Sequence, residues 1–137
     1  MRILVLGGTA FVGRAIVEAA IDRDHEVTTF TRSSLPPGAA TGQVETLFGD
    51  RTHPSAYNFA KGRQWDVIFD TWFGAPRIVQ ESVEKLRPHA SSYSYVSTCS
   101  VYEADPLPLG IDENFPTVAA DPAAESTNYP ADKRGGE

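Results

Sequence analysis

The sequence holds a single cysteine, Cys99, so no internal disulfide framework is available to it. No apolar run approaches the ~20 residues of a membrane span. The N-terminal run MRILVLGGTAFVG breaks at Gly7-Gly8 and has no cleavage-site pattern, so it does not read as a signal peptide; a cytoplasmic location is expected. No metal site is expected. Positive charge is scarce towards the end: residues 103–137 hold eight acidic and two basic side chains, whereas residues 1–102 hold ten of each. The whole net charge of −6 therefore lies in the last quarter, which argues against nucleic-acid binding there. With 41% hydrophobic residues in 137, the chain is long and apolar enough for one domain with its own core, not a disordered acidic tail.

What is present alternates. Arg2–Leu6 (RILVL) is a short apolar run of the kind buried on both faces of a parallel sheet. Glycines follow, then a helical pattern whose apolar stripe is expected at Val12, Ala15, Ile16, Ala19 and Ala20. Strands are expected at 26–31, 44–48, 65–70 and 93–98, with a loop at 33–42 and a short helix within 54–62. Pro76 opens a helix with Val79, Val83 and Leu86 on its inner face and Glu81 paired to Lys85, and Pro88 ends it. Strands joined by helices in this order predict an α/β fold, a doubly wound parallel sheet of the Rossmann type with about five strands. From residue 103 to 128 the composition turns to proline, acidic and small residues, which predicts a long loop; a last helix begins near Tyr129.

Four groups of residues carry chemistry. Gly7, Gly8, Thr9, Ala10, Phe11, Val12 and Gly13 lie where a strand ends and a helix begins. Free backbone N–H groups and the positive helix end there suit a pyrophosphate. Gly7 permits the tight turn and Gly13 close packing of helix on sheet, while Ala10 stands at the usual middle glycine. The alternative is an ordinary strand–helix turn. Nineteen residues past Gly13, strand two ends in Thr31-Arg32-Ser33 with no acidic residue to take a ribose hydroxyl. Arg32 offers a fork for a 2′-phosphate and Ser33 a hydroxyl, which favours NADP over NAD; otherwise Arg32 is a solvated strand-end residue.

Tyr129 and Lys133 stand four apart on the last helix and so share a face. A phenol of pKa ~10 is a poor acid or base at neutral pH until an ammonium nearby favours its phenolate; two solvated helix residues would show the same spacing. Ser97, Thr98 and Ser100 lie at the end of a parallel strand, where ligands bind, although such hydroxyls also bond their own backbone. Cys99 is expected to be a small buried packing residue.

Together GGTAFVG (7–13), FGD (48–50), VSTCSVY (96–102) and YPADK (129–133) resemble the extended short-chain dehydrogenase/reductase family, the NAD-dependent epimerase/dehydratase group. The start and the FTR strand end resemble an atypical branch, which includes bacterial reductase-like proteins and chloroplast stem-loop-binding proteins. The resemblance implies that Gly7, Gly8 and Gly13 hold the pyrophosphate, Arg32 meets the adenosine phosphate and Asp50 the adenine amino group. It implies Thr98, Tyr129 and Lys133 as the catalytic set, with Lys133 also on the nicotinamide ribose. Hydride transfer at a hydroxyl or carbonyl carbon, of a sugar or sugar nucleotide, is the implied reaction. The loop 103–128 would border this small-molecule substrate, and a homodimer is the oligomer that relatives suggest. Asp70-Thr71-Trp72-Phe73 departs from the small apolar stretch usual after strand four. The chain ends four residues past Lys133, so the later strands and the C-terminal substrate domain are expected to be absent. Gly135-Gly136 each cost about 1 kcal/mol in a helix relative to alanine, so Tyr129 and Lys133 are expected to be loosely held. A nucleotide-binding module without turnover, as a redox sensor or RNA-associated protein, and an inactive fragment are the competing readings.

Overall fold

The computed structural model describes residues 1–32 and 44–137. Five strands, β1 (Arg2–Leu6), β2 (Glu26–Thr31), β3 (Val44–Phe48), β4 (Trp65–Asp70) and β5 (Ala90–Tyr95), form one sheet in the order β3-β2-β1-β4-β5. All four pairings are parallel. The order reverses between β1 and β4, and open parallel sheets of this kind take ligands outside the strand ends at such a reversal. The doubly wound sheet expected from the alternating pattern is what forms. Among the described residues no helix is long and apolar enough to cross a membrane.

Alternation along β1 divides the core between two faces. Leu4 and Leu6 join Phe30, Tyr57, Ala60, Trp65, Ile68 and Leu86 on one side. Ile3 and Val5 join Val17, Ala20 and Val27 on the other. Helix α1 (Phe11–Ile21) buries Gly13, Val17 and Ala20. Of the expected stripe, Ala20 is buried and the half-buried Ile16 packs against the same cluster, but Val12, Ala15 and Ala19 are exposed, and the buried face is about one residue out of phase. Gly13 packs on the turn after β1, where a Cβ would stand 2.5 Å from the Gly8 nitrogen, and Val17 and Ala20 share its face. One residue of phase is a rotation of about 100°.

The segment expected as a short helix is a 3₁₀ turn, Ala56–Ala60. Helix α2 (Pro76–Leu86) buries Val79 and Leu86 as expected, with Ile78 and Ser82 in addition, while Val83 is only half-buried. Glu81 takes Arg77, one turn back, as its partner at 3.1 Å. Strand β5 starts and ends three residues before the span expected, because its ladder to β4 runs from Trp65↔Ala90 to Asp70↔Tyr95 and stops where β4 stops. Residues 96–98 therefore lie beyond the strand, and Cys99 opens a 3₁₀ turn with its side chain exposed rather than buried.

The chain divides into two compact units, residues 1–72 with 82–96, and residues 73–81 with 97–137. The sheet and both core clusters belong to the first. The second contains the loop 103–128 and helix α3 (Tyr129–Gly135). That loop has no helix or ladder of its own but is closed at its base. Tyr102 and Thr117 form an antiparallel bridge, flanked by Glu103 N–H donating to Pro116 O and Val118 N–H to Val101 O, each at 2.8 Å. The Tyr102 and Phe115 rings meet edge to face at 6.0 Å.

Candidate functional site

In the first unit, the turn after β1 is built around three missing side chains. Gly7 and Gly8 have φ of +116° and +102°, a region other residues rarely adopt. A Cβ on Gly7 would lie 2.2 Å from Thr71 Oγ1, and that hydroxyl is held by the Leu6 carbonyl at 3.0 Å. A Cβ on Gly13 would strike Gly8 backbone at 2.5 and 2.9 Å. Helix α1 is capped by Ala10 in extended conformation, and no side chain among the described residues caps its first N–H groups. Thr9 is half-buried, and Ala10, Phe11 and Val12 are exposed, Phe11 at 91%. The turn thus offers uncapped donors and backbone without bulk, the requirements of a pyrophosphate cradle.

Arg32 and Asp50 are exposed and follow the neighbouring strands β2 and β3. Gly49 N–H donates to Thr31 O at 3.0 Å, which draws these strand ends together. The Gly49 position admits no Cβ, which would lie 2.6 Å from the Phe30 ring. Asp50 Oδ1 accepts from the Thr52 N–H at 2.9 Å and its hydroxyl at 2.8 Å. These bonds, with smaller help from the charge on Arg32, hold the Asp50 carboxyl below the usual carboxylate range. Arg32 is thus close enough to be felt at Asp50. Ser33 and the loop 33–42 lie outside the described residues.

Thr98, Tyr129 and Lys133 are all in the second unit. Thr98 caps the 3₁₀ turn Cys99–Val101, its Oγ1 accepting from Ser100 N–H at 3.3 Å, the local bond expected of a hydroxyl at a strand end. Tyr129 is 48% exposed, whereas Lys133, one turn on, is 3% exposed. Anchors not legible from propensity surround them. Asn128 caps α3, accepting from Ala131 N–H at 3.0 Å. Asp132, also buried, accepts from Ser126 Oγ at 2.6 Å and from Thr127 N–H and Oγ1 at 2.7 and 3.0 Å. Burial pushes its carboxyl up, but these bonds outweigh burial and hold it below the usual range. Gly135, read above as a weakness, is buried where a Cβ would lie 2.7 Å from Pro76 Cγ and 3.0 Å from Asp121 O. Of the loop residues expected beside the substrate, Asp112 and Glu113 are exposed, and Asp112 Oδ1 accepts from Asn114 N–H at 2.9 Å.

One group at the β4 end was missed. Arg51 and Asp70 form a buried ion pair joined by Tyr57, Ser82 and Tyr93. The departure Asp70-Thr71-Trp72 was the only signal in the sequence, and it named no partner.

The family model of the NAD dependent epimerase/dehydratase family matches residues 3–137. A 2-alkyl-3-oxoalkanoate reductase of Stenotrophomonas maltophilia (strain K279a) is 31% identical over 91% of this chain and 44% of its own length. The chloroplast stem-loop binding protein of 41 kDa b of Arabidopsis thaliana is 31% identical over 78% of this chain and 32% of its own. The chain thus spans a third to under half of these curated relatives. The crystal structure of dTDP-glucose 4,6-dehydratase from Bacillus anthracis str. Ames, in complex with NAD, superposes with a TM-score of 0.70 at 21% identity, over 99% of this chain and 48% of that one. Motif order, sheet order and the family match agree, and the chain belongs to the NAD dependent epimerase/dehydratase family.

Proposed function

We propose that this chain is the coenzyme-binding portion of a nicotinamide-dependent oxidoreductase or epimerase, with NADP preferred to NAD. The observation that carries this reading is the turn from Gly7 to Gly13, where Gly7 and Gly13 leave no room for a Cβ and the start of α1 has no side-chain cap. Gly7, Gly8 and Gly13, with the N–H groups from Thr9 to Val12, hold the diphosphate. Arg32 meets the 2′-phosphate as a planar fork, with charge and donors together. Asp50 accepts the adenine amino group, its low pKa keeping it ionised as an acceptor.

Bound coenzyme supplies or accepts a hydride. Tyr129 moves the proton on the substrate oxygen, Thr98 donates a hydrogen bond to that oxygen, and Lys133 binds the nicotinamide ribose and favours the phenolate through its charge. The substrate carbon bears a hydroxyl or carbonyl, in a sugar or sugar nucleotide; the similarity to a 2-alkyl-3-oxoalkanoate reductase supports carbonyl chemistry in general. A cytoplasmic location and a homodimer go with this reading.

Calorimetric titration with NADPH and NADH is the test. Tighter binding of NADPH is expected, and Arg32→Ala removes that advantage, a loss of about tenfold for a charge-assisted phosphate contact. Equal or tighter binding of NADH defeats the assignment of Arg32. A second reading, binding without turnover, is supported by the similarity to a relative whose name gives a binding role, a chloroplast stem-loop binding protein. Coenzyme binding with no hydride exchange on any offered carbonyl supports it.

A further inference from the structure

Asp70, the last residue of β4, has no exposed surface, and Arg51 is 6% exposed. The guanidinium meets the carboxylate as a fork, Nη1 to Oδ1 at 2.6 Å and Nη2 to Oδ2 at 2.7 Å. The Tyr93 hydroxyl donates to Oδ2 at 2.5 Å, and the Trp72 N–H to Oδ1 at 2.9 Å. On its other edges Arg51 donates to the Tyr57 hydroxyl at 3.3 Å and to Ser82 Oγ, and it lies 5.0 Å from the centroid of the Trp72 ring. Burial opposes the charge on Arg51, yet Asp70 more than offsets it and raises its pKa.

Such a pair is an inefficient stabiliser, since two charges must first leave water and an apolar pair of similar size packs as well. What it does supply is position. Asp70 is in register with Leu6, the residue before Gly7. The next residue, Thr71, donates to the Leu6 carbonyl from both its N–H, at 3.2 Å, and its hydroxyl, at 3.0 Å, and that hydroxyl fills the space over Gly7. Arg51 directly follows Asp50 in the chain. One salt bridge thus joins the segment after β3 to the end of β4, across the ends of β2 and β1.

We propose that Arg51 and Asp70 are positioning residues for the adenosine half of the coenzyme. They set the distance between Asp50 and the Thr71-Trp72 turn, so that one nucleotide engages Asp50 and the glycine turn together. This rests on the coenzyme reading above and assigns the buried pair a task that reading leaves empty.

The test uses the full chain labelled with nitrogen-15, titrated separately with AMP and with inorganic pyrophosphate. In the wild type, AMP is expected to shift the Asp50, Thr52 and Trp72 amides, and pyrophosphate those of Gly8 and Gly13. The double variant Arg51→Met with Asp70→Leu replaces the ion pair by apolar groups and is expected to keep the circular dichroism of the wild type. Its AMP affinity is expected to fall about tenfold or more, the scale of a displaced binding group, while its response to pyrophosphate stays unchanged. A folded double variant that binds AMP within twofold of the wild type overturns the proposal. If the double variant does not fold, Arg51→Lys decides, because it keeps the charge but cannot span both carboxylate oxygens. Weakened AMP binding with an intact pyrophosphate response supports the proposal there, and unchanged AMP binding overturns it. Wild-type protein that binds neither AMP nor NADPH overturns the coenzyme reading and this inference together, whereas binding retained in the variants overturns the inference alone.

Discussion

Gly13 shows how much one absent side chain decides. Its neighbours within reach of a Cβ are backbone atoms of Gly8, at 2.5 and 2.9 Å, and backbone cannot rotate away as a flexible side chain can. Gly13→Ala must separate α1 from β1, at a cost of about 1–3 kcal/mol for overpacking. Coenzyme affinity is expected to fall with it, since the same displacement opens the diphosphate turn; urea denaturation and NADPH titration on one preparation read the two effects. Gly8 and Gly13 were legible as candidates because a strand precedes them and a helix follows. The phase of the helix was not, because Gly13, on its buried face, carries no hydrophobic signal. Periodicity counts apolar side chains, and a glycine packed on backbone contributes nothing to that count.

Among the elements, α3 is where propensity and structure disagree most. On propensity alone Gly135→Ala gains about 1 kcal/mol. In the structure Gly135 is buried against Pro76 and Asp121, with Cβ clearances of 2.7 and 3.0 Å, so the added methyl presses on a proline ring and a carbonyl. Net destabilisation of about 1–3 kcal/mol is expected from overpacking, seen as a lower urea midpoint with an unchanged slope. A higher midpoint would mean that α3 is not packed as described. Strand β5 teaches a related lesson. Its aromatic and β-branched residues centre the expected strand on 93–98, but its end is dictated by its ladder partner β4, which runs out at Asp70. That shift takes Ser97 and Thr98 off the strand, and Cys99 opens the 3₁₀ turn that follows, where its side chain is exposed.

For the whole molecule, three carboxylates contribute to the acid limb of stability. Glu45 is held low by the hydrogen-bonded fork of Arg63, at 2.6 and 2.8 Å, Asp50 by the Thr52 backbone N–H and hydroxyl, and Asp132 by Ser126 and Thr127 against the effect of burial. Each has a folded pKa below its unfolded one, so on acidification the unfolded chain takes up protons first. Their contribution is complete above the ordinary carboxylate range, about pH 4–4.5, and is lost as the pH falls through the lower folded values. The urea midpoint is therefore expected to fall as the pH drops below about 4.5. Asp132→Asn flattens that drop, because Asp132 is the buried member of the three. A midpoint independent of pH between 5 and 3 would defeat this account.

The amino-acid sequence by itself determined the element order, the parallel sheet, the glycine turn and the spacing of Tyr129 and Lys133. These depend on local spacing: alternating apolar runs, glycines at a strand end, a proline in the first turn of a helix. Only the tertiary structure decided which face α1 buries, that Gly135 is a contact rather than a flaw, and that Arg51 meets Asp70. The reason is the same each time. Arg51 and Asp70 stand nineteen residues apart, and neither has an apolar period or a helical spacing to announce the other. A buried charge finds its partner through the sheet, and the sheet exists only once distant strands have paired.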